Sequence, residues 1–367
     1  MTQETETHKR RESCFHSKIR MRLVLAIVGI SVGTLMVCRS RRRRMGRQSS
    51  RTCLPAVHLA CAVSYVLHPH TIYFVGGVLG RLMHLFVPWR LSVVRANLAR
   101  TRCARLRLNP SEMTNDEHEL QRSTYEHLFR AALLFLQPRG RVLASLPVMS
   151  KEREVGELRA DCLHGGVIVT TAHLGVWELL PEHLAGILPE RARSNSLIVY
   201  RPLHDAPLND WLRRRRERSA RIAFVPDRGS MGALRRSIEN GGIGGLLCDQ
   251  RPRASTARQR GADRADAKAT HSIEVSLLGQ ACTLSTGLCK LHQCTGAPVW
   301  FAVLLIDLAA PEHRGRRLRL HLVRLAKRNE ALPSATLAQN YARELTVAVA
   351  ETPSQYLWLH RRWKDSD

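Results

Sequence analysis

The segment Gly166-Val-Ile-Val-Thr-Thr-Ala-His-Leu-Gly-Val-Trp-Glu-Leu-Leu180 decides how the chain is read. Residues 166 to 171 are β-branched or apolar behind a glycine, which predicts a short buried strand, and from Trp177 the pattern predicts a helix. His173 and Glu178 therefore fall at a strand-to-helix junction. On one regular helix, five residues separate two side chains by about 140°, so the pair does not converge as an i, i+4 metal couple would. With His173 ending the strand, Leu174-Gly175 turning and Glu178 opening the helix, the two can face each other. A carboxylate there also suits the positive end of the helix dipole. An imidazole held by an acid can take a proton from a hydroxyl, because the acid fixes the tautomer and stabilises the imidazolium. No serine or cysteine stands beside it in a G-x-S-x-G frame, which points to attack by a substrate hydroxyl. Taken alone, the spacing favours the blander pairing of a helix-capping glutamate with an incidental histidine.

Working outward, the chain after residue 160 alternates short apolar runs with helical segments: 196–200, 222–226, 244–248 and 298–308 all read as strands. That rhythm predicts an α/β sandwich, with ligands where strands end and helices begin. Before it, residues 23–38 form an uncharged run of sixteen between basic clusters. A spanning helix wants about 20 apolar residues, so the run reads as a short anchor, an uncleaved signal-like segment or a buried helix. The arginine block after it is unlike mature sequence behind a cleavage site, and Met45 is a second candidate start. From Leu54 to Trp89 a longer apolar stretch is broken by His, Pro and Arg81; it suits a hairpin on a bilayer face or two core helices. Residues 91–137 read as amphipathic helices, with Ser or Asn caps in SEMTNDEHEL ahead of Tyr125, Glu126 and His127. Three regions are expected: a basic extension over 1–52, membrane-associated helices over 53–137, and an α/β core over 138–367.

The 367 residues carry a formal charge of +26, and only seven of the 57 basic residues are lysine. Such an excess favours anionic partners: nucleic acid, an acidic protein or an anionic leaflet. An arginine-rich nucleic-acid-binding protein is the rival class, but no helix-turn-helix, zinc finger or RNA-binding aromatic pattern occurs and aromatics are only 5%. Ten cysteines lack any CxxC, which argues against a zinc ribbon or a disulfide framework. Cys289-Lys-Leu-His-Gln-Cys294 has helical apolar spacing, where buried thiols are common. No metal site is expected.

Several further segments appear in a fixed order: Arg95-Ala-Asn97-Leu98, Val199-Tyr200-Arg201-Pro202-Leu203, Gly245-Leu-Leu-Cys-Asp249-Gln250, Thr295-Gly296-Ala297-Pro298, and Pro353-Ser-Gln355-Tyr356-Leu-Trp358-Leu-His360-Arg361-Arg362-Trp363-Lys364. With His173 and Glu178 in an HxxxxE frame, they make the chain resemble the late acyltransferases of lipid A biosynthesis, within the lysophospholipid acyltransferase superfamily. The resemblance spans roughly residues 53–364. It implies a central mixed sheet flanked by helices, as in the glycerolipid acyltransferases, with membrane-associated N-terminal helices. It also implies transfer of an acyl group from a thioester, that of acyl carrier protein, to a hydroxyl of an anionic membrane glycolipid such as a lipid A precursor. The place implied is the cytoplasmic face of the inner membrane, and no cofactor, metal or nucleic acid is involved. His173 would be the general base and Glu178 its partner. Arg216, with helix N-terminal amides, would hold the oxyanion or anionic groups of the acceptor, and Arg218 is the runner-up within the run of arginines. Arg201, Asp249, Gln250 and Trp358 would bind substrate. A lysophospholipid or a phosphoinositol mannoside is an alternative acceptor, because the motifs describe proton transfer and not the acceptor pocket. Two departures, Ser276-Leu277-Leu278-Gly279 in place of an aromatic pair before glycine and a polar insertion at 251–272, bear on chain length and acceptor.

Overall fold

The computed structural model describes residues 50–86, 90–101, 113–138, 140–250, 272–308 and 317–363. The apolar run at 23–38, residues 251–271 of the polar insertion and Lys364 lie outside them.

Four helices come first: α1 (Ser50–Val66), α2 (Pro69–Phe86), α3 (Leu91–Thr101) and α4 (Met113–Leu136). α2 crosses α4 closely because Gly76 and Gly80 face it without side chains; a Cβ there would run into the backbone of Arg130 or Glu126. The C-terminal half of α4, from Tyr125 to Leu136, is almost wholly buried and carries the helical layer onto the sheet. The outer faces of α1 and α2 are apolar and open, with Tyr65, Val66, Phe74, Leu85 and Phe86 all largely exposed. Among the described residues no single helix is long and apolar enough to cross a membrane, although α2 and α3 together, bent by 96°, have the length and composition.

After a short α5 (Arg141–Ser145), the chain runs β1 (Val148–Met149), α6 (Glu152–His164), β2 (Val167–Thr171), α7 (Leu180–Ile187), α8 (Glu190–Ser194), β3 (Leu197–Tyr200), α9 (Ala206–Ala220), β4 (Ala223–Pro226), α10 (Met231–Glu239) and β5 (Ile243–Leu247). It closes with β6 (Ser272–Leu277), β7 (Gln280–Ser285), α11 (Gly287–Thr295), β8 (Val299–Asp307), β9 (Arg317–Ala326), α12 (Ser334–Glu351) and a 3₁₀ turn at Pro353–Gln355. Seven strands form one mixed sheet in the order β1-β9-β8-β2-β5-β3-β4. β8 and β9 are antiparallel, and the other adjacent pairs are parallel. Helices flank the sheet, as the alternating pattern predicts. β2 and β8 are runs of β-branched or apolar residues, because both faces of a central strand are covered; every residue of β2 is buried, its two threonines included, and all of β8 but Asp307.

Two elements depart from the expectation. β9 is a full strand where no apolar run announces one; its residues alternate between buried and partly exposed, as suits an antiparallel pairing with one face on the core. Ser276 to Gly279 belong to a tight hairpin, β6–β7, whose central residues Leu278 and Gly279 have φ 51° and 73°. Glycine takes that left-handed region freely, whereas Leu278 adopts it at a steric cost. Its side chain is buried in the core, and its N–H donates to Thr346 Oγ1 at 3.0 Å.

Candidate active site

The parallel register of β2 and β5 builds the site. Thr171 pairs with Leu247 at the ends of these strands, so the residues two positions beyond, His173 and Asp249, arrive opposite one another. His173 Nδ1 lies 2.8 Å from Asp249 Oδ1, and the His173 backbone N–H donates to Asp249 Oδ2 at 3.1 Å. An ionised carboxylate only accepts, so Nδ1 carries the hydrogen and Nε2 keeps its lone pair. Asp249 is 3% exposed. Burial pushes its carboxyl up, but the His173 imidazole and the two hydrogen bonds from His173 outweigh this and hold the group below its ordinary value. Trp177 packs beside the ring, with centroids 5.5 Å apart.

Glu178 is not the partner of His173. The helix opens at Leu180 rather than Trp177, and Glu178 sits in the turn before it. Its two oxygens accept from Arg216 Nε at 2.8 Å and Nη2 at 2.6 Å, a bidentate fork. Both side chains are about nine-tenths buried, and the guanidinium lies about 6 Å from the rings of Tyr200 and Phe224. The expected His173–Glu178 contact is thus replaced by two separate pairs. A five-residue spacing through an irregular turn does not dictate convergence, whereas strand register does.

The turn has a reason for its shape. Gly175 has φ 66°, and a Cβ there would collide with the carbonyl of Leu304. Its N–H donates to Gln355 O at 3.1 Å, its carbonyl lies 3.0 Å from His127 Nε2, and Val176 N–H donates to Leu304 O at 2.8 Å. The C-terminal segment clamps the same loop: Leu357 N–H donates to His173 O at 3.0 Å, and Leu174 bridges to Tyr356. Gln355 bonds both polar groups of Ile306, and Asn97 Nδ2 donates to the carbonyls of Trp358 and His360. The motifs around Asn97 and Gln355 therefore act as braces on the His173 loop, a role that only their distant partners reveal.

The remaining expected residues separate. Arg201, just past β3, donates from Nη1 to Gln250 Oε1 at 3.2 Å and pairs through Nε with Asp227 at 3.6 Å. The Gln250 amide nitrogen is 3.1 Å from His173 Nε2, so Arg201 and Gln250 belong to the site. Trp358 does not reach it as a binding surface: it is fully buried, and its indole N–H donates to Pro353 O at 2.7 Å. Arg218 is exposed on α9, away from the fork that engages Arg216. His360, quoted in the terminal motif without a role, lies near Asp249 and His173; burial lowers it to about 4, with the Asp249 carboxylate opposing the shift. Among the described residues no group of three or more His, Cys, Asp or Glu side chains could hold a metal ion. His292, within the Cys289–Cys294 segment, has its ring nitrogens 2.8 Å from Ala297 O and 2.9 Å from Glu330 O.

An imidazole with a fixed tautomer and a partly open face, at the carboxyl ends of parallel strands, can act as a base on a hydroxyl. The model of the bacterial lipid A biosynthesis acyltransferase family matches residues 158–365. The match takes in more than half of the chain, including β2, β5 and the C-terminal clamp, and the chain belongs to this family of acyltransferases. No curated protein matches the sequence.

Proposed function

We propose that the chain moves a fatty acyl group from the thioester of acyl carrier protein to a hydroxyl of a lipid A precursor or a related membrane glycolipid. The observation that carries the reading is the His173–Asp249 pair, because Nδ1 is committed to the carboxylate and Nε2 is left as the proton acceptor. The acceptor oxygen attacks the thioester carbonyl carbon as His173 Nε2 takes its proton. Asp249 stabilises the imidazolium, and collapse of the tetrahedral intermediate expels the thiolate, which recovers the proton. The Glu178–Arg216 fork anchors the turn after His173 to α9 and β3. These steps use neither metal nor nucleotide.

The apolar outer faces of α1 and α2 would rest in the cytoplasmic leaflet of the inner membrane. The charge of +26 would favour that anionic surface, the acidic carrier protein and a phosphorylated acceptor together. The test is an assay of membranes with labelled acyl carrier protein thioester and a lipid A precursor. Wild type should transfer label and His173→Ala should not; transfer at the wild-type rate by His173→Ala overturns the reading. Mass spectrometry of lipids from a deletion strain identifies the acceptor as the molecule that loses an acyl chain.

A further inference from the structure

The thioester carbonyl must become an oxyanion beside His173, and such sites supply hydrogen-bond donors aimed at that oxygen. Backbone amides are the usual source, but here the four nearest the imidazole, from His173 to Val176, are already engaged. The N–H of His173 goes to Asp249 Oδ2, that of Leu174 to Ala172 O at 2.8 Å, that of Gly175 to Gln355 O, and that of Val176 to Leu304 O. Arg216, the donor that sequence suggests, has Nε and Nη2 committed to Glu178.

Gln250 is placed differently. Its amide nitrogen lies 3.1 Å from His173 Nε2 and 3.3 Å from Nδ1. The two ring nitrogens aim their in-plane axes apart, so one amide cannot lie in line with both. It therefore rests against the ring and leaves the approach to Nε2 for a hydroxyl. Its orientation is fixed, because Arg201 donates to its oxygen and a guanidinium accepts nothing. Arg201 is in turn held by Asp227. His173, Gln250, Arg201 and Asp227 follow the C-terminal ends of β2, β5, β3 and β4, which is the order of these strands across the sheet.

We propose that the Gln250 amide is the oxyanion donor of the acyl transfer, with Arg201 and Asp227 as the residues that position it. The inference rests on the general-base reading above. As the acceptor oxygen bonds to the carbonyl carbon and its proton passes to His173, the carbonyl π pair moves onto oxygen and is met by the Gln250 N–H. When the C–S bond breaks, that pair returns and the thiolate takes the proton from His173.

The experiment is steady-state kinetics with acyl carrier protein thioester and lipid acceptor, on variants whose melting temperatures are compared with wild type. Gln250→Met should lower kcat by about 10² to 10³, leave both KM values within about twofold, and leave the pH dependence of kcat/KM in place. Gln250→Glu separates a chemical from a structural role: it keeps the length and the bond to Arg201 but has no N–H, and should be at least as slow. Arg201→Met should cost less than Gln250→Met and add little to it in the double variant. Near-wild-type kcat in Gln250→Met or Gln250→Glu overturns the inference and leaves the turn amides of Trp177 and Glu178 as donors. A fully active His173→Ala defeats the base reading itself, whereas an inactive His173→Ala beside an active Gln250→Met defeats only the Gln250 role.

Discussion

Two pairs of a carboxylate with a nitrogen side chain, His173–Asp249 and Glu178–Arg216, meet the same loop within six residues, and they do opposite work. In His173–Asp249 an imidazole meets a carboxylate through one ring nitrogen only, Nδ1. In Glu178–Arg216 a permanent cation is gripped by two parallel bonds with both side chains nearly buried. The first can change protonation state during a reaction; the second cannot, since a guanidinium does not deprotonate in proteins. The glutamate nearest His173 in sequence is therefore an anchor, and the aspartate 76 residues away is the group that holds and orients the imidazole.

The hardest blow to this division should come from His173→Ala, with transfer down about 10⁴-fold and the melting temperature nearly unchanged; radiolabel transfer and calorimetry read the two quantities. Asp249→Asn should follow at about 10³-fold in kcat/KM, because the amide can no longer stabilise the imidazolium or enforce the tautomer. A wild-type rate in Asp249→Asn would return the orienting role to another group. Glu178→Gln should act on stability first, by about 3 to 5 kcal/mol, since it leaves the Arg216 charge buried without its partner. Chemical denaturation measures this, and Glu178→Leu with Arg216→Met should recover much of the loss. If Glu178→Gln instead kept its stability and lost transfer, the two pairs would share the chemistry and the division would fall.

The smallest expected effect concerns the loop between the pairs. His127 holds the Gly175 carbonyl and is lowered to about 4, chiefly by burial, with the Gly175 hydrogen bond opposing and Arg130 adding to the shift. Because the folded value lies below the unfolded 6.5, the unfolded chain binds the extra proton. Stability is then complete above about pH 6.5 and is lost as pH falls toward 4, by about 3 kcal/mol at most. Melting curves between pH 7 and 4 should show a slope of this sign, to which the buried His183 and His360 also contribute, and His127→Gln should make it shallower by the share of one histidine.

Much of the frame is legible locally. The five apolar runs that predict strands become β2, β3, β4, β5 and β8; for the central β2 and β8 the reason is that both faces are covered, while β4 lies at the sheet edge and is partly exposed. The alternation in Arg317–Ala326 is also a strand signal, though the segment holds no continuous apolar run. The β6–β7 turn is less legible, since Leu278 occupies a left-handed position where a turn residue such as Asn or Gly would be the usual sign. Trp358 shows the same limit at the site: an indole in a specific motif suggests a surface for ligand, yet it fills the core and ties down Pro353.

The sequence by itself determined the α/β class, the family, and the strand-to-helix loop that carries His173, since hydrophobic runs and short motifs are local properties of the chain. Only the tertiary structure decided which carboxylate pairs with His173 and which with Arg216. The Thr171–Leu247 register carries Asp249 to His173, and the turn at Gly175, shaped by the carbonyl of Leu304 and gripped by Gln355, sends Glu178 to Arg216. Partners brought together by strand pairing and long-range clamps leave no trace in their spacing along the chain.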